Sequence, residues 1–276
     1  MLKIDAHQHF WKYHPVKDAW ITDDLKVIKR DLLPDAVAPI LAENGIAGCV
    51  AVQADQSETE NEFLLGLAAE HAFIMGIVGW VDFKAHNIAE RLEYYSQIKL
   101  MKGFRHIIQA EPEPDFMLNP QFMQGISLLQ GHNFSYDILI KPGHLPFATQ
   151  FATAFPNQRF VLDHLAKPFI KDKKMEGWQQ DIYALAACEN VSCKISGMVT
   201  EADWANWKAE DFTPYLDVVF NAFGAKRVMF GSDWPVCNLA GGYKGVLSIV
   251  ETYVAKLSQN EQELFWGKNA SVFYGL

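Results

Sequence analysis

Lys3-Ile4-Asp5-Ala6-His7-Gln8-His9-Phe10 opens the chain as a short apolar strand pattern that carries two histidines, two residues apart, at its end. Successive side chains of a strand point to opposite faces, so His7 and His9 are expected to project together. Asp5 should share that face, while Ile4, Ala6 and Gln8 take the other. Two imidazoles held side by side on a rigid strand can bind a metal ion or polarise a carbonyl oxygen. The competing reading is a pair of surface histidines. An expression tag is excluded, because the pair is embedded in a strand pattern.

Working outward, the same kind of strand recurs. Runs rich in aliphatic residues stand at 3–10, 48–54, 73–81, 101–108, 135–140, 159–165, 191–196 and 227–233. Helical periodicity fills the intervals near 38–44, 57–71, 86–98, 119–131, 146–155, 175–189 and 212–223, with a last helical region from about 243. Asn44-Gly45 reads as a helix stop, Ser57 with Glu60 as a capping box, and Pro146 as a residue of a first helical turn. Eight strands, apolar on both faces and alternating with helices, require a parallel sheet covered by helices. At 276 residues the closed (β/α)₈ barrel of TIM type fits best, as one domain over 1–276 that tolerates some distortion. An open doubly wound sheet would want a Gly-rich turn after its first strand, and residues 10–14 contain no glycine.

Composition narrows the function classes. Half of the residues are hydrophobic, enough for a large core, and the net charge of −9 comes without basic runs. That excludes nucleic acid and anionic membrane as expected partners and leaves homo-oligomerisation open. Cys49, Cys188, Cys193 and Cys237 show no Cys-x-x-Cys spacing and read as free thiols of a reducing compartment. The N-terminus starts a strand at once and the longest apolar run is too short to span a bilayer, so the expected location is cytoplasmic.

Polar residues gather where the strands end: His7 and His9; Gln53; Trp80 and Asp82; Arg105 and His106; Lys141; Asp163, His164 and Lys167; Lys194 and Ser196; Ser232 and Asp233. The carboxyl ends of barrel strands form the active-site mouth. Neighbours on a strand alternate, so Arg105 and His164 are read as facing inward, with His106 and Asp163 outward. Three long connections, 11–33, 109–118 and 197–211, follow the same ends. They carry Trp11 and Trp20 in the first and Trp204 and Trp207 in the third, either as walls of a pocket or as seals of satellite clusters.

His-x-His at strand one, Leu-Asp-His-x-x-Lys-Pro at strand six and Phe-Gly-Ser-Asp-Trp-Pro at strand eight resemble the amidohydrolase superfamily. More narrowly they resemble its sugar-acid lactonases, the L-fucono-1,5-lactonase and L-rhamnono-lactonase group. His-Phe-Trp (9–11), Val-Gln-Ala (52–54), Glu-Thr-Glu (58–60), Val-Gly-Trp-Val-Asp (78–82), Gly-Phe-Arg-His (103–106) and Cys-Lys-Ile-Ser-Gly (193–197) extend the likeness over nearly the whole chain.

The resemblance implies His7, His9, His164 and Asp233 as catalytic residues and as the ligands of one divalent ion, zinc first, or of none, since metal-free catalysis occurs in this branch. Binuclear members have a carboxylated lysine on strand four and a histidine ending strand five. Arg105 and Lys141 stand at those places here, and His144 falls in the following loop, so a two-metal centre is not expected. The implied reaction is hydrolysis of a sugar-derived lactone to the aldonic acid. Asp233 would be the general base for water, and the three histidines would polarise the carbonyl. Trp11, Gln53, Trp80, Arg105, Lys194 and Trp234 are the expected substrate contacts. Of five arginines only Arg105 reaches the mouth, which favours a neutral polyhydroxylated ring over a dicarboxylate. The alternatives are a metal-dependent decarboxylase or lactonase of an aromatic-derived acid, and a barrel without catalysis. Sugar stereochemistry and ring size are not legible.

Overall fold

The computed structural model describes residues 1–276. Eight strands follow one another in parallel: β1 Lys3–Gln8, β2 Ile46–Val52, β3 Ile74–Gly79, β4 Met101–His106, β5 Ser135–Ile138, β6 Phe160–Leu162, β7 Val191–Ile195 and β8 Val228–Phe230. The ring closes beyond β8, where Asp233 N–H donates to His7 O (2.9 Å) and His9 N–H to Trp234 O (2.7 Å). Helices α1 Pro34–Glu43, α2 Glu58–Glu70, α3 Ile88–Ser96, α4 Pro120–Ser127, α5 Leu145–Ala154, α6 Trp178–Ala186, α7 Ala209–Phe223 and α8 Gly242–Val254 follow the strands in turn. This is the expected (β/α)₈ barrel. No helix is long and apolar enough to cross a membrane, and the four cysteines are unpaired.

Two apolar layers hold it together. The outward faces of the strands pack on the helices through residues such as Ala51, Ile77, Phe104, Tyr136, Leu162 and Phe230. Inside, Ile4, Ala6, Val50, Val52, Val78, Val161 and Met229 fill the lower barrel. After α8 the chain forms α9 (Gln259–Glu263), a π-helical turn (Leu264–Lys268) and α10 (Asn269–Tyr274), whose Ala270, Phe273 and Tyr274 close the amino-terminal end of the barrel. Ser57 caps α2 by accepting from Glu60 N–H. The Glu60 carboxylate, however, accepts from Ala54 N–H and pairs with Lys17 instead of completing the box.

Local geometry departs from strict strand alternation in three places, all at the mouth. In β1, Asp5 aligns with Cys49 but Gln8 with Ala51, so three residues of one strand oppose two of the other. This bulge turns Asp5 away from His7 and His9, correcting the expected shared face. Asp5 is fixed on the helix side of the sheet by Tyr243 Oη (2.9 Å), Gln8 Nε2 (2.8 Å) and Ser232 N–H (2.8 Å). β6 and β8 are also shorter than their apolar runs. After Leu162 the chain turns left-handed through His164, Leu165, Ala166 and Lys167, with φ between +54° and +58°, and Asp233 lies at φ +58°. Non-glycine residues in this region are strained by about 1 kcal/mol or more each, a cost usually found at functional sites.

Candidate active site

The left-handed turn after β6 delivers two neighbours to one place. Alternation predicted His164 inward and Asp163 outward; both are buried at the mouth, because the strand stops at Leu162 before either residue. Arg105 faces inward as expected. His106 faces outward, where Trp80 Nε1–H donates to its Nδ1 (3.2 Å) and its Nε2–H therefore donates to Glu111 Oε1 (2.6 Å). Two glycines permit the crowding. A Cβ on Gly197 would sit 2.5 Å from His164 Nδ1, and one on Gly231 would sit 2.8 Å from His7 Cβ.

His7, His9, His164 and Asp233 converge. Asp233 Oδ1 lies 3.4 Å from His9 Nε2, 3.8 Å from His7 Nε2 and 3.9 Å from His164 Nε2, and the two Nε2 atoms of His7 and His9 are 3.1 Å apart. Burial pushes the His164 imidazole down to about 4 and His7 well below its ordinary value, so both are neutral near pH 7. Burial alone would raise Asp233. The surrounding histidines outweigh it and hold the carboxyl below its ordinary range, so this residue is ionised at rest.

Beneath this cluster lies a second layer of buried charge. Lys194 is fully enclosed, with Nζ 2.5 Å from Asp137 Oδ2, 3.1 Å from Asp163 Oδ1 and 3.1 Å from His7 Nδ1. Arg105 donates from Nη1 to Asp163 Oδ2 (3.0 Å) and from Nη2 to Gln53 O (2.5 Å) and Oε1 (3.1 Å). Tyr274 of α10 donates to Asp137 from below, at 2.9 Å from Oδ2. Burial pushes Asp137 up to about 6 against the pull of Lys194. At Asp163 the combined field of Lys194, His7 and Arg105 overcomes burial and holds the carboxyl well down.

The hydrogen bonds constrain the imidazoles. His9 Nδ1 faces Val52 O at 2.8 Å, and a carbonyl only accepts, so Nδ1 carries hydrogen and neutral His9 has its lone pair on Nε2. His7 lies between two donors, Lys194 Nζ at Nδ1 (3.1 Å) and Arg105 Nη1 at Nε2 (3.3 Å), so each of its two tautomers accepts from only one of them. Lys194 can donate to Nδ1 while His7 Nε2–H donates to His9. Alternatively, Nδ1–H can donate to Asp163 Oδ1 (3.3 Å), leaving both Nε2 lone pairs aimed into one space. The second arrangement suits a cation. Ligand bonds of about 2.1 Å around a tetrahedral ion place donor atoms about 3.4 Å apart, and the four distances above bracket that value. His7, His164 and Asp233 offer donor atoms mutually close enough to hold a single divalent ion, and His9 Nε2 stands beside them at 3.4 Å from Asp233 Oδ1, with carbonyl and carboxylate partners behind the histidines. The other possible cluster, His7 with Asp137 and Asp163, already surrounds the Lys194 ammonium.

A cavity of about 370 Å³ opens above the cluster, bounded by His9, His164 and Asp233 at its floor and by Trp11, Trp20, Leu139 and Val236 among its walls. His7 lies just behind the floor. Four residues expected against substrate are placed elsewhere. Gln53 and Lys194 are fully buried supports whose polar atoms are taken by Arg105 and by Asp137 and Asp163. Trp80 leans on His106 outside the cavity, and Trp234 packs on Phe10. Of the loop tryptophans, Trp11 and Trp20 reach the cavity. Trp204 and Trp207 do not, and Trp207 seals a cluster with Phe212. The sequence pattern singles out neither Asp137 nor Tyr274, and it places Asp163 at the mouth but facing outward. The lone acid in the apolar run 135–140, facing a lone lysine in 191–196, was a usable signal for the Asp137–Lys194 pair.

Three imidazoles and a carboxylate thus converge at the carboxyl ends of the strands of a parallel eight-stranded barrel, the face on which barrel enzymes build their active sites. The amidohydrolase family profile matches residues 4–276, and the chain belongs to that family. It is 39% identical over 286 aligned residues to the L-fucono-1,5-lactonase of Burkholderia multivorans, covering all of this chain and 96% of that one. It is 35% identical to the L-fucono-1,5-lactonase of Burkholderia ambifaria, covering 87% and 83%. A crystal structure of an amidohydrolase from Burkholderia multivorans with bound zinc superposes with a TM-score of 0.96 at 39% identity, over the full length of both chains.

Proposed function

We propose that this protein hydrolyses the ring ester of a sugar-derived lactone, of the L-fucono-1,5-lactone type, to the open aldonic acid. The observation that carries the reading is an ionised Asp233 at the floor of a cavity, ringed by three imidazoles, in a chain 39% identical over its full length to an L-fucono-1,5-lactonase. Asp233 takes a proton from a water molecule as its oxygen attacks the lactone carbonyl carbon. With Ser196 Oγ–H donating to His164 Nδ1 (2.9 Å), the Nε2–H of His164 stabilises the oxyanion of the tetrahedral intermediate. Collapse breaks the bond to the ring oxygen, and protonated Asp233 returns its proton to that oxygen. Asp233 is positioned by its backbone N–H on His7 O (2.9 Å), with His7 and His9 packed against its carboxylate, while Arg105, Asp163 and Lys194 surround His7 from behind. In the other tautomer, with His164 Nδ1–H donating to Ser196 Oγ, its Nε2 is free as a ligand, and a divalent ion held by His7, His164 and Asp233 beside His9 would supply Lewis acidity toward the carbonyl.

The cavity also favours a neutral ring. Arg105, the one arginine at the mouth, has Nη1 and Nη2 engaged by Asp163 and Gln53, which leaves no guanidinium fork for a second carboxylate. The apolar walls suit the carbon face of a sugar ring. No separate observation favours the decarboxylase reading. The test is a panel of aldono-1,4- and 1,5-lactones assayed with a pH indicator, spontaneous opening subtracted, on wild type and Asp233→Asn. The variant should melt like wild type and lose about 10²- to 10⁴-fold in kcat, the usual contribution of a general base. Near-wild-type turnover would remove Asp233 from that role.

A further inference from the structure

We propose that Gln109 and Lys167 recognise the lactone hydroxyls furthest from the reacting carbonyl, an inference that rests on the lactonase reading of this site. Apart from the floor residues and Arg105, they are the polar side chains that border the 370 Å³ cavity. They are also the two residues that this cavity shares with a second cleft of about 600 Å³ beyond it. A carbonyl seated at Asp233 and His164 therefore puts the opposite edge of the ring at Gln109 and Lys167.

Both side chains are left with hydrogen-bonding capacity. Gln109 Oε1 is shielded from solvent and has no partner, although the Gln109 backbone is pinned by its N–H to Leu139 O (3.1 Å). An acceptor without a donor is unusual in folded proteins, and a rotation of the Gln109 carboxamide toward the cavity it borders lets an incoming hydroxyl supply one. Lys167 has one distant partner, Glu201 Oε1 at 3.5 Å, and three hydrogens to give. Its position is built: it ends the left-handed turn that also delivers Asp163 and His164, at φ +54°. An acceptor and a donor side by side suit an alcohol, which donates to Gln109 Oε1 and accepts from Lys167 Nζ. In a six-membered lactone the hydroxyls on C3 and C4 lie on the ring edge away from the carbonyl carbon.

The probes are L-fucono-1,5-lactam, which resists hydrolysis, and its 2-, 3- and 4-deoxy analogues. Their dissociation constants are measured by calorimetry for wild type, Gln109→Leu, Lys167→Met and Glu201→Gln, with turnover of the parent lactone in parallel. Wild type should lose about tenfold or more in affinity when the 3- or the 4-hydroxyl is absent, the usual scale for an alcohol paired by a buried polar group. Gln109→Leu and Lys167→Met should bind parent and that analogue alike while keeping the wild-type response at C2. Glu201→Gln, which removes only the ion pair, should keep wild-type discrimination. The inference is overturned if either variant retains the discrimination or weakens every analogue equally, or if wild type shows no preference or binds no lactam. A protein that discriminates among the lactams but opens no lactone would instead overturn the hydrolase reading and leave the recognition intact.

Discussion

Replacing Lys194 with Met tests the buried charge layer directly. The side chain is fully enclosed and its ammonium sits among Asp137, Asp163 and His7. Met keeps the volume and removes the charge, leaving two enclosed carboxylates with Arg105 as their cation. Removing one partner of a buried pair typically costs about 3–5 kcal/mol. Here part of that cost is relieved by protonation, because Asp137 is already pushed up to about 6 by burial and rises further without the lysine. The direction with pH follows. A raised carboxyl pKa means that the folded state keeps a proton the unfolded chain releases near 3.8, so stability falls as pH rises from 3.8 to the folded value. In the variant this window extends upward, and each further unit adds about 1.4 kcal/mol of instability at higher pH. Urea denaturation at pH 8 and pH 5 should show a deficit of about 3 kcal/mol or more at pH 8 that shrinks by at least about 1 kcal/mol at pH 5. Adding Asp137→Asn should restore stability, since the uncompensated carboxylate goes with the lysine. A deficit under about 1 kcal/mol at pH 8, the scale of an exposed pair, or one that grows on acidification, would refute the reasoning.

His164 imposes the opposite slope. Its folded-state pKa of about 4 lies below the ordinary 6.5, so the unfolded chain takes up a proton first and stability falls as pH drops through that interval. The full shift corresponds to roughly 3 kcal/mol, and His164→Gln should flatten denaturation midpoints of metal-free protein between pH 6.5 and 4. An unchanged slope would mean that His164 titrates normally. Gly197→Ala adds a Cβ 2.5 Å from His164 Nδ1 at φ +62°; it should cost about 1–3 kcal/mol and lower kcat more than it raises KM, and wild-type kinetics would show that His164 need not stay seated on Ser196. Zinc should raise the Tm progressively with concentration, and His9→Ala should abolish the rise; an equal rise in both proteins would place the ion elsewhere.

Much of this molecule is legible in its sequence. Apolar runs and helical periodicity are local properties, so the sequence alone determined eight strands, their helices and the barrel, and the resemblance of the strand-end motifs to the amidohydrolases singled out His7, His9, His164 and Asp233. Inward or outward facing was determined only where strand geometry continued, as for Arg105 and His106. The tertiary structure decided the rest. A bulge moved Asp5 out, and a left-handed turn brought Asp163 in beside His164. Gln53 and Lys194 became supports instead of substrate contacts because partners from other strands claimed their polar atoms. Tyr274 joined the site from the last turn of the chain. Each depends on pairings between residues far apart in sequence, and local pattern carries no record of which buried charge will meet which.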